Sequence, residues 1–246
     1  MRNIKVVLEY EGTAYSGFQV QANANTVQEQ IEAALQKLTK EQIRIVASGR
    51  TDAGVHAMGQ VINFFTNSNI PAEKFAPALN TWLPKDIRAL ESSEEDQNFH
   101  ARFSAKWKTY RYLILNREAP SALLRNLAYW VPDKLDIALM RLGACELVGT
   151  HDFRAFMASG SSVVTTVRTV TESEIRTLES EDLIEFRITA DGFLYNMVRI
   201  IVGTLIEIGR GKLDPSVIKR MLDTGDRSLG GPTAPAKGLY LVRVTY

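Results

Sequence analysis

The segment Gly49-Arg50-Thr51-Asp52-Ala53-Gly54-Val55-His56 puts a guanidinium, a hydroxyl, a carboxylate and an imidazole within eight residues, with two glycines for bends. A carboxylate beside a cation suits a nucleophile or a stabiliser of developing positive charge, and an imidazole suits proton transfer. The run Ile43-Arg44-Ile45-Val46-Ala47 leads into this segment as a strand, and Gln60-Val61-Ile62-Asn63-Phe64-Phe65 leads out as another. A short polar loop between two strands is a usual place for a rigid scaffold to present chemistry.

Four other segments are richer in polar groups than a connection requires. Glu11-Gly12-Thr13-Ala14-Tyr15-Ser16-Gly17-Phe18-Gln19 reads equally as a functional loop or as a glycine-rich turn with packed aromatics. The stretch from His100 to Tyr112 carries Arg102, Lys106, Lys108 and Arg111, no acid, and interleaved Phe103, Trp107, Tyr110 and Tyr112. Cations neutralise phosphates and aromatic faces stack on unpaired bases, so this is either a nucleic-acid surface or a strand with a solvated basic face. Gly149-Thr150-His151-Asp152-Phe153-Arg154-Ala155-Phe156 sets a histidine beside an aspartate, but with three histidines in the chain and no clustered partners it does not read as a metal site. Gly225 to Gly238 is too rich in Gly and Pro for a helix or a central strand and reads as a loop that could order on a partner. Arg199 stands apart, because its segment Phe193 to Ile208 is apolar on nearly every side and predicts a buried helix. A buried guanidinium requires a carboxylate. Asp52 is a candidate from the other half of the chain, and extension of Arg199 to solvent is the alternative.

The elements that must position these groups follow from periodicity. Ile4 to Tyr10 predicts a strand, and Thr26-Val27-Gln28-Glu29 a capping box opening a helix with Val27, Ile31, Ala34, Leu35 and Leu38 on one face. Pro71 fits the first turn of a helix reaching about Trp82, and Asp86 to Leu90 predicts a strand. The order β-α-β-β-α-β is ferredoxin-like. The second half repeats it: strand Thr109 to Leu115, helix Asp133 to Leu147 with Leu135, Leu139, Leu142 and Leu147 near one face, and strands Val167 to Leu178 and Leu183 to Ala190 joined near Glu179-Ser180-Glu181-Asp182. The buried helix, a further helix from Asp214-Pro215 and a closing strand Leu239 to Val244 follow. The expected fold class is α+β, two ferredoxin-like (RRM-like) halves with antiparallel sheets flanked by helices. The expected division is 1–104 and 105–246, with the acidic run Glu91 to Asp96 as a solvated edge between the halves.

Composition narrows the function classes. A chain of 246 residues with 45% hydrophobic and 23% charged residues and a formal net charge of +1 is an ordinary globular protein, so any polyanion surface must come from local clustering. The single cysteine, Cys145, excludes an intrachain disulfide and a cysteine-based metal cage; its apolar neighbours make it an expected core residue. Met1-Arg2-Asn3-Ile4-Lys5 runs directly into a strand without a signal-peptide core, and Asn196, Arg199 and Glu207 rule out a membrane span in the most apolar helix, so the cytoplasm is the expected location. On residue types alone, an RNA-binding module and an aspartate-based hydrolase both stand.

Six segments in order resemble the tRNA pseudouridine synthase A family: Gly12 to Gln19, Gly49 to Ala57, Lys108 to Tyr112, Gly149 to Phe153, Phe193 to Arg199 and Pro235 to Leu239. The resemblance covers essentially the whole chain and implies the pseudouridine synthase fold. It also implies isomerisation of uridine to pseudouridine at positions 38, 39 and 40 of the tRNA anticodon stem-loop, by a homodimer, without cofactor, metal or membrane. By the same resemblance Asp52 is the catalytic carboxylate, Arg199 the cation that keeps it ionised, and Tyr110 the ring that stacks on the target uracil. Arg50 takes the place of the extruded base or clamps a phosphate, and the basic-aromatic stretch before Tyr112 and the Phe18-Gln19 loop hold the stem-loop. The chemistry suits one carboxylate, since uracil leaves as a delocalised anion while positive charge builds at the ribose C1′.

Overall fold

The computed structural model describes residues 1–160, 163–178 and 182–246. In chain order the elements are β1 (Arg2–Tyr10), α1 (Val27–Thr39), β2 (Val46–Ala47), β3 (His56–Thr66), α2 (Phe75–Leu79) and β4 (Ile87–Glu95). There follow β5 (Trp107–Leu115), β6 (Tyr129–Trp130), α3 (Ile137–Cys145), β7 (Gly149–Asp152), β8 (Val167–Leu178), β9 (Leu183–Ala190), α4 (Met197–Gly209), α5 (Val217–Thr224) and β10 (Leu239–Thr245). They form two compact units, Met1–Lys106 with Tyr240–Tyr246, and Trp107–Leu239.

In the first unit β1 lies antiparallel between β3 and β4, and β2 pairs antiparallel with β3, which is the ferredoxin-like order. The start of β10 adds a parallel pairing, Tyr240 opposite His56 and Leu241 opposite Ala57. Helix α1 begins where the capping pattern predicts: the Thr26 side chain accepts from the Glu29 N–H at 3.4 Å, and Val27, Ile31, Ala34 and Leu35 turn inward. Strand β2 is shorter than the run Ile43 to Ala47, because the Ile45 N–H donates to the Glu32 carboxylate on α1 instead of to β3. The helix expected from Pro71 to about Trp82 is a 3-10 turn, Ala72–Lys74, followed by α2 alone. Asn80 ends it by exchanging two 2.8 Å hydrogen bonds with the Ala89 backbone on β4. The acidic run forms most of the outer half of β4, where Glu94 pairs with Arg2 at 2.8 Å and Glu95 with Lys5. Charges are tolerated on an edge strand when a neighbour supplies the countercharge.

In the second unit the order is β5-β9-β8-β7, all antiparallel, with β6 parallel to β5. Residues Glu179, Ser180 and Glu181 of the turn expected between β8 and β9 lie outside the described residues. Helix α3 buries Met140, Gly143 and Ala144; of the predicted leucine face, Leu135 and Leu147 at its two ends are buried and Leu139 is half-buried, while Leu142 and Cys145 are exposed. Small residues decide this: a Cβ on Gly143 would sit 2.9 Å from the Ile208 methyl, so α4 approaches closest at the glycine and turns Cys145 to solvent. Helix α4 begins at Met197, not Phe193, because Asn196 takes the left-handed conformation at φ 60°. Helix α5 starts two residues after Pro215, and Asp214 accepts from the Ser216 N–H at 2.9 Å. The Gly225 to Gly238 loop packs along α4, where a Cβ on Gly203 would meet the Pro232 carbonyl at 1.6 Å. Among the described residues no helix is long and apolar enough to cross a membrane.

Candidate active site

Asp52 lies half-buried between β2 and β3 in the first unit. Its main chain closes a turn: the Val55 N–H donates to the Asp52 carbonyl at 3.1 Å, and Gly54 has φ 76°. That pattern is a type II turn, which needs glycine at its third position. A buried network holds the loop from beneath. Gln60, fully buried in β3, donates to the Gly49 carbonyl at 2.9 Å and accepts from the Ser48 hydroxyl at 2.6 Å. The Tyr10 hydroxyl, at the end of β1, bonds the Thr51 hydroxyl at 2.8 Å. Burial pushes the Tyr10 phenol up to about 12, partly offset by its hydrogen bonds to Thr51 and Gln60.

The glycine-rich loop after β1 closes over this frame. The Phe18 N–H donates to the Thr51 carbonyl at 3.0 Å, and Gly17, at φ 104°, has no room for a Cβ, which would sit 2.9 Å from the same oxygen. At Gly12 a Cβ would lie 2.0 Å from the Val55 carbonyl. The Gly12 N–H donates to His56 Nδ1 at 3.0 Å, and the His56 ring stacks on Tyr240 at 4.7 Å. An Nδ1 that accepts puts the proton on Nε2, so His56, at 1% exposure, is a structural clasp between two loops. Phe18 is 2% exposed and packs on Tyr10, which makes it an anchor of its loop; Gln19 and Arg50 both point to solvent.

Tyr110, Phe193 and Arg199 all belong to the second unit. Tyr110 is on β5, largely buried, with the Phe193 ring edge-on at 4.9 Å. Arg199, in the first turn of α4, donates through Nε to the Ala234 carbonyl at 2.7 Å and through Nη1 to Asn196 Oδ1 at 2.8 Å. Two fixed acceptors aim the guanidinium, in place of the extension to solvent that residue types alone allowed. Tyr112, on the same strand, donates to the Pro235 carbonyl at 2.7 Å; burial raises its phenol strongly, while the nearby Arg199 charge pulls it down.

Three contributors are not apparent from sequence. Tyr10 reads there only as the end of a strand, and Gln60 as a polar residue in an apolar run, although a buried amide in such a run is itself a signal. Asn196 is the third, and its signal is a residue that favours left-handed backbone at a helix start. The His151–Asp152 pair does not form a site. His151 Nε2 bonds the Val148 carbonyl at 3.0 Å, and Asp152 is engaged by Arg154 and by the Thr166 hydroxyl at 2.6 Å. Among the described residues no group of three or more His, Cys, Asp or Glu side chains is placed to hold a metal.

A family model described as tRNA pseudouridine synthase matches residues 6–104 and 144–246. Three similar proteins are tRNA pseudouridine synthase A of Acetivibrio thermocellus, 54% identical, tRNA pseudouridine synthase A 2 of Clostridium perfringens, 50% identical, and tRNA pseudouridine synthase A of Thermoanaerobacter sp., 48% identical. Each alignment covers 100% of both chains.

Proposed function

As the chain belongs to the tRNA pseudouridine synthase family and isomerises uridine to pseudouridine in tRNA, we propose that Asp52 is the carboxylate that carries the reaction, at positions 38, 39 and 40 of the anticodon stem-loop. The C1′–N1 bond of the target uridine breaks, the uracil turns, and C1′ joins C5. The proton leaves C5 for solvent and N1 gains one, so no oxidant, reductant or cofactor enters the balance. Positive charge on the sugar in the first step is what a fixed carboxylate stabilises or traps. The observation that carries this reading is the frame under Asp52: Thr51 tied to Tyr10, Gly49 to Gln60 and Gly12 to His56. A loop held at three points, from β1, β3 and the turn after β1, loses little entropy when it meets a transition state.

The other roles follow the family resemblance. Arg199 keeps Asp52 ionised, as a neighbouring guanidinium lowers a carboxylate pKa. Tyr110 stacks on the target uracil, and its hydroxyl assists removal of the C5 proton. Arg50 fills the gap left by the extruded base, a step that costs a few kcal/mol, and Gln19, on the loop anchored by Phe18, contacts the RNA. The N-terminal half, 1–104, thus brings the carboxylate and the C-terminal half, 105–246, the ring and the cation. The enzyme acts as a homodimer in the cytoplasm.

Tritium release from tRNA carrying [5-³H]uridine tests reaction and substrate together. Wild type releases tritium from positions 38 to 40; Asp52→Asn retains tRNA binding and releases none. Full release by Asp52→Asn would remove the carboxylate from the mechanism, and release confined to other positions would overturn the substrate site.

A further inference from the structure

We propose that Phe103 is a stacking platform for an unpaired base of the tRNA, a contact outside the residues assigned to the reaction; it rests on the tRNA reading above. Phe103 is 76% exposed, more than any other aromatic residue among those described. A phenyl ring in water has a cost that a polar turn residue would avoid. Yet the turn that carries it is built with care. His100 Nδ1 accepts from the backbone N–H groups of Arg102 and Phe103, both at 3.2 Å, and its own N–H donates to the Ser104 hydroxyl at 3.1 Å. The Ser104 N–H returns to the His100 carbonyl at 2.9 Å. Fully buried Ala101 fastens the turn to the sheet: its N–H donates to Asn63 Oδ1 at 2.9 Å, and its carbonyl accepts from the Tyr246 hydroxyl at 2.8 Å.

The ring is therefore presented on a fixed base. The His100 imidazole stacks against it at 4.3 Å with 28° between planes, and the Arg102 guanidinium lies 5.5 Å from its centre. Arg102 and, three residues on from Phe103, Lys106 are exposed. Of the acids of the preceding segment, Glu94 is paired with Arg2 and Glu95 with Lys5. An exposed π-face flanked by cations suits a partner with both anionic charge and flat faces, which is single-stranded nucleic acid; a duplex hides its base faces.

The test uses the full-length protein with Phe103→Ala, Phe103→Leu, Phe103→Trp and Arg102→Ala, measuring equilibrium binding of unmodified tRNA and the kinetics of tritium release. Loss of one base stack weakens binding by roughly five- to a hundredfold, so Phe103→Ala and Phe103→Leu raise Kd and KM in that range with kcat nearly unchanged. Phe103→Trp stays within about twofold of wild type, since any aromatic face stacks. The salt dependence of Kd keeps its slope in Phe103→Ala and flattens by about one counterion in Arg102→Ala. Melting temperatures stay at the wild-type value, as the ring is in solvent. Wild-type binding by Phe103→Ala, or Phe103→Leu equal to wild type, overturns the platform. Dissociation of an oligomer by Phe103→Ala also overturns it, making the ring a contact between copies. Absence of tRNA binding and tritium release in wild type fails the tRNA reading itself, a result distinct from any of these.

Discussion

Two short segments of this chain contain nearly the same side chains and are wired in opposite ways. Around Asp52 the loop is tied to other elements: Tyr10 is 41 residues from Thr51, Gly12 is 44 from His56 and Gln60 is 11 from Gly49. Around Asp152 they are close: Arg154 lies two residues on, Thr166 fourteen, and His151 bonds the carbonyl three residues before it. Asp152 spends its oxygens on its own turn, and Arg154, acting first through its hydrogen bond, holds the carboxyl down to about 2. The difference is between a loop fixed by the tertiary structure around it and a turn that fixes itself. The first kind is held in place by bonds that its own turn does not supply.

The largest expected difference between the two is chemical. Asp52→Asn lowers the rate of tritium release at least about a thousandfold, while Asp152→Asn stays within about twofold; equal losses would erase the distinction. Next comes the frame. Gly12→Ala forces a Cβ to within 2.0 Å of the Val55 carbonyl, and the displaced loop loses about a hundredfold in kcat. Gly149→Ala, at φ 122°, meets first the movable His151 ring, so thermal unfolding shows a loss of about 1–3 kcal/mol with kcat kept.

A smaller effect separates the networks by pH on the alkaline side. Tyr10→Phe removes a buried hydroxyl and destabilises by about 1–2 kcal/mol, with a loss of activity near tenfold. Burial raises the Tyr10 phenol from 10.0 to about 12, so the stability from its neutral form is complete below pH 10 and lost as pH rises through about 12. Melting curves between these values fall more steeply for wild type than for Tyr10→Phe. The smallest effect is on the acid side. Asp152 has a lowered pKa, so its stabilisation is present above its ordinary value of 3.8 and lost as pH falls through about 2. Its partner Arg154 is 63% exposed and screened by solvent, so wild type exceeds Asp152→Asn by at most about 3 °C in Tm above pH 4, and the gap closes by about pH 2.

Much of the frame was legible in the residues. The capping box at Thr26, the paired strands β8 and β9 and the β-α-β-β-α-β order all follow from local periodicity, which the chain carries wherever it goes. Errors fell where a contact between distant segments decides. Leu135 and Leu147 at the ends of α3 are buried as predicted, but within the helix Leu142 and Cys145 are exposed because α4 packs against Gly143 and Ala144. The acidic run became strand because Arg2 and Lys5 stand beside it.

The same division holds at the candidate site. Residue types and spacing alone marked the segment around Asp52, set it between two strands, and made Arg199 conspicuous in an apolar helix, because composition and period are properties of single segments. Only the tertiary structure decided that Tyr10 and Gln60 hold that loop, that His56 is a clasp rather than a base, and that Asn196 and Ala234 aim Arg199. All but the Asn196 bond, three residues from Arg199, join different segments of the chain, and a buried polar group takes whichever partner the packed fold brings within about 3 Å.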